Sequence, residues 1–378
     1  MTQCRICKTE MPAPAYAAPA PAMTSLSTLI ATPTEVFVCD ACAHVQSPDL
    51  PDVQAFYDRE YRISLQSDEH DQLYEQRDDG PVFRTGHQAS LVLGLDLPDG
   101  AKVLDFGAAK ATTLRAVLKQ RPDLHPHVFD VSEDYREHWN GWVDVADQAT
   151  YRLPEAWSGR FDLITAHFVL EHVTDPVGIL AELRACLAPG GRLFFTVPDP
   201  VGNSGDLLVA DHLNHFTTSS LTEALHRAGL RPLAIRQDQF RGAHVVLATP
   251  ALNGETLGPA TGAASCAETV RDLLKNWEHA LSSIDAAQID GKTFAIYGAG
   301  FYGTLIASRF SEKPVCFLDR NPHLQGTEHI GCPVLTPEAC PVGVELIFAG
   351  LNPDHARRIL PADAAWKPDG ARIVYLNG

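Results

Sequence analysis

The chain has 378 residues, 45% of them hydrophobic and 20% charged, with a formal net charge of −17. That length exceeds one compact core, and the composition excludes a chain disordered throughout. The acidic surplus repels phosphate backbones and anionic lipid, so nucleic acid and membrane partners are not expected, and no apolar run approaches the roughly 18 residues of a membrane span.

The first segment, residues 1–55, carries Cys4-x-x-Cys7 and Cys39-x-x-Cys42 on either side of Pro12–Met23, a stretch whose alanines and prolines read as a loop. The start of the chain lacks the basic and apolar regions of a secretion signal, so a cytoplasmic location is expected. In a reducing compartment the paired cysteines point to metal, and the single Cys186, Cys266, Cys316, Cys332 and Cys340 to packing. Each pair can place two thiolates on one tetrahedral ion, which suits a structural Zn2+. Rubredoxin-like iron, a metal-free segment and a redox dithiol are the alternatives. Residues 52–98, rich in charge and bearing Tyr57, Tyr61 and Tyr74, read as a helical link.

A domain spanning 56–250 follows. Short apolar runs predict strands at Lys102–Asp105, His127–Phe129, Phe161–Ala166, Gly191–Val197 and Ala243–Ala248. A helix is predicted over Asp175–Leu187, because Val177, Leu180, Leu183 and Leu187 share one face and Pro189-Gly190-Gly191 stops it. The alternation predicts an α/β class with a doubly wound, Rossmann-like parallel sheet. A strand ending in Asp105-Phe106-Gly107 and turning into a helix is how such sheets hold nucleotide-type ligands at their carboxyl edge. About 23 residues further on, Asp130 ends the next strand, where a carboxylate can accept bonds from both ribose hydroxyls. An unrelated turn with a surface aspartate is the plainer reading of these two features.

Residues 251–267, rich in glycine, alanine and proline, read as a linker. The remainder, 268–378, opens with a helix over Glu268–Ser283, whose Val270, Leu273, Leu274, Trp277 and Leu281 form one packing stripe. Predicted strands at Thr293–Tyr297 and Val315–Leu318 then flank Gly298-Ala299-Gly300-Phe301-Tyr302-Gly303, with Asp319 beyond. This dinucleotide fingerprint is weak alone, and the segment holds only half of a two-part fold. A second nucleotide site and a small Rossmann-like α/β unit without ligand both stay open.

Phe161-Asp162-Leu163-Ile164, Val169-Leu170-Glu171-His172-Val173, Asp175-Pro176 and Leu187-Ala188-Pro189-Gly190-Gly191 follow the Asp105 turn in order. Together they resemble the class I S-adenosylmethionine (SAM) dependent methyltransferases. The resemblance implies SAM against Asp105, Phe106 and Gly107, its ribose at Asp130 and Val131, and a pocket wall at Ala166-His167. One departure is Ala109-Lys110-Ala111, where glycines are usual. Alanine resists positive φ, so the loop is expected to take another path or to bind SAM less well.

Cysteine pairs, then this domain, then a small α/β unit: the order resembles the sugar C-methyltransferases that act on nucleotide-linked keto-deoxysugars. By that likeness the acceptor is a small molecule, a nucleotide sugar. Asp211-His212 then lies in the active site with His212 as the base, and His215 and Tyr61 are further catalytic candidates. Loop packing for the histidines, and packing at a domain boundary for Tyr57 and Tyr61, are the competing readings. Glu171-His172 carries the same double reading, with Glu171 on the structural or cofactor side. Val209 replaces a tyrosine expected two residues before the carboxylate, which leaves the acceptor open. The expected reaction is C-methylation through an enolate. Its rivals are O- or N-methylation of a natural product or polysaccharide precursor, and a non-catalytic nucleotide-binding module. Oligomeric state is not legible.

Overall fold

Val103, Leu104, Leu163 and Ile164 are wholly buried, as expected of strands covered on both faces. They sit at the centre of a sheet built from β1 (Lys102–Phe106), β2 (His125–Asp130), β3 (Gln148–Thr150), β4 (Phe161–His167), β5 (Leu187–Pro198), β6 (Leu230–Arg236) and β7 (Ala243–Pro250). The spatial order is β3-β2-β1-β4-β5-β7-β6. Strands β1 to β5 pair in parallel, whereas β7 runs antiparallel to both β5 and β6. The sheet is therefore Rossmann-like as expected, but mixed rather than parallel throughout, with the reversed hairpin β6–β7 closing one edge.

The computed structural model describes residues 2–51, 71, 73–77, 80–252, 255, 258, 260–287, 289 and 291–377. Tyr57 and Tyr61 lie outside these residues. The helical link expected over 52–98 is not what its described part forms. Leu73–Arg77 and Gly80–Phe83 make an antiparallel hairpin, and helix α1 (Arg84–Leu93) starts only afterwards. Gly80, at φ +132°, and Pro81 account for the break, since one holds a backbone that L side chains avoid and the other lacks a donor. Helices α2 (Thr112–Leu118), α3 (Pro176–Cys186) and α4 (Thr218–Arg227) complete the unit. Asp175 caps α3 by accepting from the Gly178 N–H with Pro176 in the first turn, and Thr217 and Ser220 form a capping box at α4.

The second sheet contains β8 (Phe294–Tyr297), β9 (Phe317–Leu318), β10 (Glu328–His329), β11 (Cys332–Leu335), β12 (Leu346–Ala349) and β13 (Arg372–Val374), in the order β10-β11-β9-β8-β12-β13. Helix α5 (Ala263–Asp285) begins inside the stretch expected as linker, and α6 (Phe301–Ala307) and α7 (Pro353–Ile359) follow. The glycine fingerprint here serves close packing. A β-carbon on Gly303 would collide with the Gly298 carbonyl, and one on Gly298 with the Gly350 carbonyl. Asp319 accepts from the Ala299 N–H at 2.8 Å and from the Asn321 N–H at 2.8 Å, so it braces the turn.

The chain divides into two compact units with boundaries unlike those expected. One comprises Met1–Pro12, Val38–Asp206 and Leu213–Ala267; the other comprises Ala13–Phe37, Leu207–His212 and Glu268–Gly378. The cysteine pairs thus belong with the larger sheet instead of forming a separate segment. The stretch read as a loop contributes strands Tyr16–Ala18 and Ala22–Met23, whose partners are in Thr34–Val38 and Leu29–Ile30; its prolines fall outside the strands. No described helix is long and apolar enough to cross a membrane.

Candidate active site

At the carboxyl edge of β1 and β2 the chain leaves a cleft of about 1220 Å³, lined in part by Phe106, Gly107, Asp130, Val131, His172 and Val173. Its size exceeds the roughly 300–1,000 Å³ of ordinary small-molecule sites, enough for a cofactor and an acceptor together. Gly107 has φ +70°, and a β-carbon there would lie 2.5 Å from a Val169 methyl, so only glycine permits the approach of the two segments.

The turn after Gly107 corrects the expectation for its alanines. Ala109 and Ala111 do adopt positive φ, at 46° and 52°. Surrounding bonds impose the conformation. The Phe129 carbonyl accepts from the N–H groups of Gly107 and Ala108 at 2.9 Å, Asp130 Oδ2 accepts from Ala109 N–H at 2.8 Å, and the indole of the wholly buried Trp139 donates to the Ala109 carbonyl at 2.7 Å. The path is thus the one glycines would take, held at a cost.

Asp130 also accepts from Ser132 N–H at 3.2 Å. Backbone donors thus take only part of its about four lone-pair sites. Burial pushes its carboxyl above the usual range, against the backbone bonds that lower it. Asp105 lies beneath the cleft, 4% exposed, and accepts from the Thr165 hydroxyl at 2.8 Å. Burial pushes it up to about 7; the Thr165 bond opposes this and the charge of Asp130 adds to it.

Asp105 pairs with Thr165 across β1–β4, and His167 pairs with Thr196 across β4–β5. His167 Nδ1 faces Thr196 Oγ1 at 3.4 Å, while its Nε2 is buried without a hydrogen-bond partner among the described residues. Burial, aided by the Arg84 charge, pushes this imidazole down to about 3, so it is neutral. A polar row across buried parallel strands is costly unless used. Sequence reading named Asp105 and His167 but missed Thr165 and Thr196, although polar residues at the ends of strands that should be apolar on both faces were the available signal.

Residues 75–235, which carry the turn, Asp130 and Glu171-His172, match a family described as a methyltransferase domain. The chain contains a class I SAM-dependent methyltransferase domain. Over 104 residues the chain is 31% identical to the ubiquinone biosynthesis O-methyltransferase of Xanthomonas axonopodis pv. citri (strain 306), covering 26% of this chain and 44% of that protein. The protein of the same name from Azotobacter vinelandii is 29% identical over 102 residues, covering 26% and 44%. The chain spans less than half the length of these curated relatives. Among solved structures, the mitomycin 7-O-methyltransferase MmcR aligns at 20% identity over 44% of this chain and 54% of that chain, with a TM-score of 0.38. The CurJ carbon methyltransferase aligns at 17% identity over 44% and 55%, with a TM-score of 0.35.

Within the methyltransferase domain's unit, the loop after β5 carries His215. Its Nδ1 lies 2.7 Å from Asp206 Oδ2 and its Nε2 3.3 Å from Ser47 Oγ, all three residues being buried. Both ring nitrogens are therefore engaged, with Asp206, missed in the sequence, as the partner of Nδ1. Asp211 and His212 fall in the other unit. There Asp211 is wholly buried and accepts from Ser25 at both carboxylate oxygens, from the N–H and the hydroxyl, each at 2.6 Å.

The four paired cysteines converge on the methyltransferase domain's unit. Cys4 and Cys42 sulfurs are 3.6 Å apart, Cys7 and Cys39 sulfurs 3.4 Å, and all four lie within 4.8 Å of one another. Tetrahedral zinc with Zn–S bonds of about 2.3 Å needs sulfurs roughly 3.8 Å apart, so the set fits. Each knuckle is built alike. The Cys4 carbonyl accepts from Lys8 N–H at 3.0 Å and the Cys39 carbonyl from Ala43 N–H at 2.9 Å, with Lys8 and Ala43 at φ 65° and 58°. Hydrogen bonds from Cys4 and Cys42 hold the Cys39 thiol well below its usual range, while the bond to Cys39 pushes Cys4 up to about 12. Binding of a cation would release the thiol protons.

Proposed function

We propose that this protein transfers the SAM methyl group to a small acceptor that must first lose a proton, most specifically a carbon beside the carbonyl of a nucleotide-linked keto-deoxysugar. The observation that carries methyl transfer is the cleft floored by Gly107 and edged by Asp130, with its constrained turn. The C-methylation reading draws support from the order of the chain: four convergent thiols, the methyltransferase domain, and a small Rossmann-like unit.

When bound, SAM supplies an electrophilic methyl group on a positively charged sulfur. Around it, Asp105 and Gly107 would receive the amino-acid end and Asp130 the ribose. His167, neutral and with Nε2 unpartnered among the described residues, is suited to a hydrogen bond with cofactor or acceptor. We assign His212 as the base that removes the acceptor proton, with Asp211 fixing its loop through Ser25. The four cysteines would hold Zn2+ in a closed structural site with no open position.

A second reading, O-methylation, is favoured by the names of the curated relatives, which are O-methyltransferases. Incubation with [13C-methyl]SAM and either a nucleoside-diphosphate 4-keto-6-deoxyhexose or a catechol tests both, because the carbon shift of the product methyl distinguishes C–CH3 from O–CH3. For C-methylation, the keto-sugar should also exchange its acidic proton in deuterated water with S-adenosylhomocysteine (SAH) bound. His212→Asn should suppress that exchange at least 100-fold. Methylation of the catechol alone replaces the first reading by the second, and transfer to neither removes both.

A further inference from the structure

The side chain of Asn214 links the cysteine knuckle to the turn beside the cleft. It is wholly buried. Its Oδ1 accepts from His44 Nε2 at 3.2 Å, and its Nδ2 donates to the carbonyls of Leu170 at 3.0 Å and Val173 at 2.7 Å. On the first side, His44 belongs to the cysteine knuckle, since its carbonyl accepts from Cys39 N–H at 2.8 Å. The strand pairing Asn214↔Gln46 and the Thr217 hydroxyl donating to the Ala43 carbonyl at 3.1 Å clamp the same knuckle to the loop. On the other side, Leu170–His172 is the turn whose neighbours His172 and Val173 line the cleft and whose Val169 packs over Gly107. The turn has no side-chain cap of its own, so the Asn214 amide serves two of its carbonyls from outside.

We propose that Asn214 is a positioning residue through which the metal-binding knuckle sets the Leu170–Val173 wall of the cofactor cleft, so that metal occupancy and cofactor affinity are linked. The inference rests on the reading of the cysteines as a zinc site and of the cleft as a SAM site. A rigid knuckle holds His44, His44 orients the amide, and the amide fixes the wall; linkage requires that each end feel the other by the same factor.

The test uses the full chain loaded with zinc, with SAH as the probe, and compares wild type with Asn214→Asp, which keeps the shape but removes both donors. Zinc content by mass spectrometry should be one per chain in both. Chelation should weaken SAH binding to the wild type about tenfold by calorimetry. Zinc-loaded Asn214→Asp should already be weaker by about that factor, and chelation should add little. Equal SAH affinity in the two zinc-loaded proteins, or the same chelation factor in both, overturns the proposal. A purely structural role would lower melting temperature without closing this cycle. Should Asn214→Asp not fold, or wild type bind no SAH, hydrogen exchange decides in the wild type alone. Amides 168–175 should exchange faster after chelation, and unchanged protection there overturns the coupling. Absence of SAH binding with intact exchange coupling would instead count against the methyltransferase reading.

Discussion

Asp105 is the residue where burial opposes ionisation. Unfolded, an aspartate titrates near 3.9, whereas burial in the folded chain pushes Asp105 up to about 7. Between those values the folded state keeps a proton that the unfolded state has released, so this group lowers stability as pH rises from about 4 to about 7, with no further change above. Asp105→Asn should therefore raise the melting temperature of the cofactor-free protein, more at pH 8 than at pH 5. On the proposed reading, in which Asp105 receives the amino-acid end of SAM, it should also weaken SAH binding by tenfold or more. Scanning fluorimetry at the two pH values with calorimetry checks both; an equal effect at both pH values would remove Asp105 as the source.

At the scale of elements, the turn from Gly107 to Ala111 stores strain that a single change can release. Positive φ costs an L-residue roughly 1–2 kcal/mol, so Ala109→Gly should stabilise the protein by about 1 kcal/mol after the added freedom of the unfolded chain is counted. Ala111→Gly should gain less, since the Ala111 methyl is buried in the core. Urea denaturation of the two variants measures the difference. This turn also shows what was legible in the sequence. Its position, the strand before it and Asp130 were readable, because each follows from local pattern. Its path was not, because the indole of Trp139 and the Phe129 carbonyl reach it from other elements. Helix α3 lay within one residue of expectation at each end, since Asp175-Pro176 writes its own start. The hairpin at Leu73–Phe83 was missed because charge density masked its strands, and β6 because Arg231 and Pro232 interrupt its apolar run. Asp206 was missed as the partner of His215 because it is nine positions away rather than adjacent.

At the scale of the molecule, the two units do not correspond to consecutive stretches of chain. Ala13–Phe37 and Leu207–His212 belong with Glu268–Gly378, and particular bonds tie them there: Ser25 to Asp211, and the Thr304 hydroxyl to the Ser27 carbonyl at 3.2 Å. A sequence-based boundary near residue 267 suggests that the last part could be removed cleanly. The structure predicts otherwise. Truncation after Ala267 strips Tyr16, Met23 and Val36, all buried here, of the body they belong to. The shortened protein should be poorly soluble on expression and bind an exposed-surface dye such as ANS. Truncation together with deletion of residues 13–37, the ends rejoined by a short glycine–serine link, should recover solubility; recovery by neither, or full solubility of the simple truncation, would contradict the division.

The interleaving also sets an order of events during synthesis. Ala13–Phe37 leaves the ribosome well before Phe294–Tyr297 and Leu346–Ala349, neighbouring strands of its unit. At about 5–20 residues per second, the early segment waits roughly 10–60 s for these strands. Meanwhile both cysteine knuckles and the entire larger sheet are already available. The nascent chain therefore passes through a stage at which its four paired cysteines and the larger sheet are complete while a β-hairpin between the two knuckles still lacks its partners, and that is the moment at which a chaperone would matter most.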